Sequence, residues 1–430
     1  MSSRVSRRWF LGALPATVLA RRAIGQAPVE LRMSWWGGND VHGALLATLR
    51  KFEARYPHIR VKGEYTGWVG HLERLTTQIA GRTAPDLMQV NWNWLVLFSR
   101  DGRGFQDLGT LTDRVDLGQF DDDALATCTM AGRVNALPVA MTARLFYFNA
   151  STFARARLTL PRSWDELFAA GPEFRRRLGD GFFPLDLIFP DAVALCRAWI
   201  VQRSGLPLID ERNRRLNASA ADLHEFAEVY HRLVQSHVIP TARERASYGN
   251  VQQQEMRPWI DGRYAGTYMW TSAVGKSADT LSAGQQVALA PYPLRPEAKD
   301  AGLLYRPAMT FAINARTAHP DESARLLDFL LNDPDAVLAM GLRRGLPASR
   351  KAVGILRERG LVRGLALEAA EQIAALPNCV RESPYYEHAR VRDGFNDILE
   401  LLAYGRIDVA EAGRRLGEDI PAILERSIRT

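Results

Sequence analysis

The chain reads as an α/β protein of two lobes, and three observations predict it. Residues 29–95 switch between strand and helix periods in the order β-α-β-α-β. That order implies a parallel sheet with right-handed crossovers. A chain of 430 residues is long enough for two full cores. Its 47% hydrophobic and 24% charged content is that of a globular protein.

The elements follow in order. Val29 to Met33 is expected as a short strand running into Ser34-Trp35-Trp36-Gly37-Gly38-Asn39-Asp40. Leu45, Leu46, Leu49 and Phe52 mark one face of a helix that stops before Pro57. Ile59 and Val61 alternate with Arg60 and Lys62 in a second strand, which leads to Tyr65-Thr66-Gly67-Trp68. Leu72, Leu75 and Ile79 predict a second helix closed by Gly81, and Leu87 to Val90 a short buried strand.

Beyond this unit the signals thin out. Asp121-Asp122-Asp123 reads as a solvated acidic run, and Leu145 to Phe148 as a strand. Ser163 and Glu166 have capping-box spacing. Thr310 to Asn314 is a further strand, with helices dominating the C-terminal region. Three extended, proline-bearing pieces are candidate crossings between lobes: Gly132–Val139, Val287–Pro293 and Gly345–Pro347.

The net charge of +7 owes much to the N-terminus. Residues 1–26 carry five arginines and no acid, which leaves 50 of the 55 basic residues against 48 acidic ones. No basic run stands in that remainder, so nucleic acid is not an expected partner. Ser6-Arg7-Arg8-Trp9-Phe10-Leu11 resembles the bacterial twin-arginine export signal, and the apolar stretch after it is too short to span a bilayer. Ala23-Ile24-Gly25 places small residues for cleavage after Gly25, which makes residues 1–25 a signal peptide. Cys128, Cys196 and Cys379 allow at most one disulfide and have no metal-ligand spacing, so buried free thiols and no cofactor are expected.

The exit of the third strand carries the chemistry. Asn91-Trp92-Asn93-Trp94 alternates planar amides with flat indole faces. A sugar ring has an apolar C–H face and a rim of hydroxyls, which such a cluster matches. Packing offers the other explanation, with both indoles in the core and the amides capping the next helix. Trp35, Trp36, Trp68, Trp92 and Trp94 all fall at or past carboxyl ends of the first three strands, where open parallel sheets bind ligands. Five of the ten tryptophans at equivalent ends weigh towards a binding site.

A family resemblance adds to this. Phe52-Glu53-Ala54-Arg55-Tyr56-Pro57, Ile59-Arg60-Val61 and Gly81-Arg82-Thr83-Ala84-Pro85-Asp86-Leu87 resemble the N-terminal half of the solute-binding proteins of ABC sugar importers. Gly132–Pro138, Phe148-Asn149, Ser163-Trp164-Asp165-Glu166-Leu167, Asp261-Gly262-Arg263 and Gly345-Leu346-Pro347-Ala348-Ser349 follow in that family's order. Leu31 to Asn39, Gly63 to Trp68, Leu75 to Gly81 and Gln89 to Leu95 are similar to one branch, the periplasmic oligogalacturonide-binding proteins.

The resemblance implies the two-lobed periplasmic binding protein fold, each lobe a mostly parallel sheet flanked by helices, joined by a multi-strand hinge. Residues 28–138 with 293–342 would form the first lobe, and 139–292 with 343–430 the second. It implies a monomer that takes an oligosaccharide, an acidic one in that branch, and hands it to ABC permease subunits in the inner membrane. The twin-arginine signal departs from the usual export route of many such proteins and bears on export alone.

Trp35, Trp36, Trp68, Trp92 and Trp270 are the candidates for stacking on sugar, and Asn39, Asn91 and Asn93 for hydroxyl recognition. Arg144, Tyr305 and Arg306 approach from the hinge side. Arginine presents a bidentate fork to a carboxylate; the structural alternative for either is an interlobe ion pair. Enzyme motifs fail. Gly275-Lys276-Ser277 ends like a phosphate loop, but the motif's first glycine falls on Trp270. An exported glycosidase or lyase, whose acids only the fold would assemble, is the competing class, along with a receptor for a neutral sugar.

Overall fold

The computed structural model describes residues 28–249, 251 and 253–429. The signal-peptide reading therefore falls outside the described residues. Strand β1, Val29–Trp36, pairs in parallel with β2, Ile59–Thr66, and with β3, Leu87–Val90. Helices α1, Asn39–Arg55, and α2, His71–Ala80, make the crossovers. This is the expected β-α-β-α-β unit. β1 runs longer than expected because its inward alternation continues: Leu31, Met33 and Trp35 are all buried in one core with Leu49 and Phe52.

The hinge is built on two long strands. β4, Leu137–Asn149, is 13 residues long. At about 3.3 Å per residue it spans roughly 43 Å, enough to serve both lobes. Its first half pairs antiparallel with the return strand, and its second half with β5, Gly266–Trp270, and β6, Val287–Leu289. The return strand is β7, Tyr305–Ile313, which continues alongside β3. The order is β6-β4-β7-β3-β1-β2, with β5 also beside β4. The sheet is therefore mixed: parallel in β2-β1-β3 and antiparallel through the hinge.

Three expectations are corrected. The extended piece at Val287–Pro293 does not cross between lobes. Its strand pairs with Tyr147–Asn149 at the far end of β4, and the chain crosses back through β7. The lobe boundaries shift with it. Leu303 and Leu304 pack in the second core with Phe146, Tyr268 and Phe395. Helix Arg350–Glu358 packs through Ala352 and Leu356 on Val337, whose helix lies against α1. So 293–304 sits with the second lobe and the segment to about 362 with the first, rather than the breaks at 293 and 343. The third candidate crossing, Gly345–Pro347, likewise touches the hinge without leaving the first lobe: Pro347 bridges Ala140, and the Ala348 amide donates to the Val139 carbonyl at 3.2 Å.

Ser163 Oγ accepts from the Glu166 amide, but Glu166 returns its carboxylate to the Arg162 amide, so the capping box is half made. The acidic run opens a short helix, Asp122–Thr127, and Asp121 pairs with Arg350 at 2.5 Å. All three cysteines are free, and Cys379 is exposed rather than buried. Among the described residues no helix is long and apolar enough to cross a membrane.

Candidate functional site

A cavity of about 930 Å³ lies between the lobes at the hinge. On the first-lobe side, residues just past the ends of β1, β2 and β3 form an aromatic wall. Trp68, 53% exposed, stacks on Trp94 with centroids 5.4 Å apart and planes 17° from parallel. Trp36 meets Trp68 edge-on at 5.2 Å. His71 lies behind them, with its ring 5.2 Å from that of Trp36 and Nδ1 2.7 Å from Thr66 Oγ1. Burial pushes the His71 pKa down to about 4, so the wall rests on a neutral imidazole at pH 7.

Strand parity sorts the tryptophans. Trp35 has the parity of Leu31 and Met33, so it points into the first core, fully buried and stacked on Tyr65. Trp36 takes the other face and reaches the cavity. The turn of 3₁₀ helix at Trp92–Trp94 does the same for the second pair. It turns Trp92 inward, where Nε1 donates to the Thr127 carbonyl at 3.0 Å, and presents Trp94 to the cleft. Trp35 and Trp92, both expected to stack on sugar, are thus buried and do not line this cavity. Asn39 is exposed at the start of α1 and does not line the cavity, and Tyr305 packs against the second core.

Asn91 and Asn93 both line the cavity. Asn91 Nδ2 donates to Asn93 Oδ1 at 2.8 Å, and Asn93 Nδ2 to the Glu387 carbonyl at 2.9 Å, which ties the first lobe to the second. Trp270 lines the same cavity, with the guanidinium carbons of Arg144 and Arg306 at 4.5 and 4.2 Å from its ring centroid. β5 pairs Trp270 with Arg144 on β4, which fixes that contact by register.

Both arginines already hold carboxylates. Arg144 Nη1 contacts Asp191 Oδ1 at 2.5 Å and the Tyr268 carbonyl at 3.0 Å. Burial works against the Arg144 charge, and Asp191 together with Tyr268 and Tyr386 offsets it, holding the pKa above its ordinary value. Arg306 Nε donates to Glu387 Oε1 at 2.7 Å. Tyr386, Glu387 and His388 in the cleft come from the C-terminal part of the chain, where no strand end signalled them. Seven of the eleven sequence candidates converge here: Trp36, Trp68, Asn91, Asn93, Arg144, Trp270 and Arg306. Among the described residues, no His, Cys, Asp or Glu cluster has the arrangement of a metal site.

Residues 40–337 match the family model for bacterial extracellular solute-binding proteins. The chain belongs to that family. Among solved structures it is similar to a periplasmic oligogalacturonide binding protein from Yersinia enterocolitica in complex with saturated digalacturonic acid, at 44% identity over 93% of this chain and 100% of that one, with a TM-score of 0.86. A de novo designed cysteine esterase is also similar, at 43% identity over 94% of this chain and 100% of that one, with a TM-score of 0.88. A putative binding protein of Brucella abortus (strain 2308) is 29% identical over 178 residues, which are 41% of this solute-binding chain and 43% of that relative. The match thus spans less than half the length of that curated relative.

Proposed function

We propose that this solute-binding protein captures an acidic oligosaccharide of the oligogalacturonide class between its lobes and delivers it to an ABC permease in the inner membrane. The observation that carries the reading is the cleft itself, in which a tryptophan wall on the first-lobe side shares one cavity with guanidinium groups gathered on Trp270. An indole face suits the C–H face of a sugar, and arginine suits its carboxylate. The likeness to the Yersinia protein supports the same ligand class.

Binding without turnover fits the thiols. A cysteine esterase needs an activated thiolate. Burial pushes the Cys128 thiol up to about 12 and raises Cys196, the Cys379 thiol is raised as well, and none of the three lines the cleft. Incubation of the purified protein with short oligogalacturonides is expected to return every sugar intact, with one bound per chain. Cleaved or de-esterified products would overturn the receptor reading.

Export by the twin-arginine route to the periplasm rests on Arg7 and Arg8. The signal is read by a receptor and charge alone is insufficient. Replacing both with Lys is expected to hold the precursor in the cytoplasm. Mature periplasmic protein from that variant would contradict the route.

A further inference from the structure

Behind the cleft lining, in contact with Trp36 and Met309, one arginine forms no ion pair with any carboxylate among the described residues. Arg344 lies beside the hinge, immediately before Gly345, whose φ of +93° favours glycine and turns the chain against the hinge. The side chain is buried, with only 5% of the residue exposed. Its Nη2 donates to the Trp36 carbonyl at 3.3 Å, its Nη1 meets Met309 Sδ at 3.0 Å, and its Nε is buried without a partner. Asp40 acts on it from a distance but forms no ion pair with it. Desolvation accordingly pulls its pKa down to about 9, the opposite of Arg144, which Asp191 supports.

The neighbours share this deficit. Gln89, fully buried at the end of β3, also donates to Met309 Sδ, at 3.5 Å, and its Oε1 is buried without a partner. A thioether is a weak acceptor for two strong donors. Met309 lines the cavity, as does Trp36. The pairing of β7 with β4 slips on both sides of Met309, the kind of irregularity that re-aims a side chain beside a site. Methionine is unbranched and changes rotamer readily. One side-chain movement would therefore open a buried, uncompensated guanidinium to the cleft.

We propose that Arg344, with the Gln89 amide beside it, is the carboxylate-recognising group of the cleft, and that Met309 covers it until an acidic sugar enters. The proposal rests on the acidic-oligosaccharide reading above. A uronate entering the cleft gives up water and needs a charged donor there. Arg144 and Arg306 would have to share or surrender Asp191 and Glu387 to supply one, whereas Arg344 would lose no carboxylate partner.

The test is calorimetry with digalacturonate and its carboxyl-reduced neutral analogue, on the wild type and on Arg344→Gln and Arg344→Met. In both variants digalacturonate is expected to bind about ten- to a hundredfold more weakly, the loss of a charged hydrogen bond. The neutral analogue should change less than about threefold, closing the gap. Arg344→Met keeps the volume and removes an unpaired buried charge, so its melting temperature should match or exceed that of the wild type. A variant that folds and keeps the full acid-over-neutral gap overturns the assignment of Arg344 and leaves the ligand class standing. A wild type with no gap overturns the ligand class itself.

Discussion

Glu382→Ala is expected to cost about 3–5 kcal/mol of folding stability, the usual penalty for stranding one member of a buried ion pair. Glu382 and Arg197 have side chains 1% and 0% exposed, joined Nε to Oε2 at 2.7 Å. The carboxylate also accepts from the amides of Leu208, Ile209 and Ser383 at 3.0–3.2 Å, and Arg197 Nη1 donates to the Gly302 carbonyl at 2.8 Å. One pair thus ties the helix Phe189–Ser204 to three loops of the second lobe. Alanine would leave the guanidinium and three amides without their acceptor. Urea unfolding measures the loss. Replacing both partners with apolar residues of similar size should recover much of it, because the desolvation cost disappears as well. A single-variant loss below about 1 kcal/mol would show that the pair is not the tie it resembles.

Trp270→Ala is expected to weaken digalacturonate binding by roughly tenfold, the equivalent of one aromatic contact of about 1.4 kcal/mol lost from the cavity wall. The sequence reading gave this ring a sugar to stack on. The structure places the ring in the cavity wall, where it also carries the guanidinium groups of Arg144 and Arg306. Trp270→Phe, which keeps a weaker aromatic face, should fall between the two. Affinities by calorimetry and melting temperatures on the same samples separate the cases. A collapse in melting temperature with unchanged affinity would make Trp270 a packing residue.

What the sequence made legible was local. The β-α-β-α-β unit came from periods of two and 3.6 within a few residues of each other, and strand ends located the aromatic wall. Parity was available too: Leu31, Met33 and Trp35 alternate, which assigns Trp35 to the core and Trp36 to the cleft. The hinge was less legible because its pairings are remote. β4 looked like two pieces, since Met141 to Arg144 carries no clean alternation, and its partner β7 lies more than 150 residues away. Arg144 and Arg306 could be placed near the lobe junction, but their partners Asp191 and Glu387 come from an α-helix and a 3₁₀ turn that share no motif with them. Arg344 gave no signal beyond its place beside Gly345, because a missing partner is visible only once the fold is assembled.

The central claim is that the cleft selects an acidic oligosaccharide. The most direct measurement is a calorimetric titration of the wild-type protein with digalacturonate and with its carboxyl-reduced analogue, matched in length and linkage. The expected result is one site per chain and a preference for the acid of about ten- to a hundredfold, the worth of one charge-assisted hydrogen bond. Equal affinity for the two sugars would contradict it.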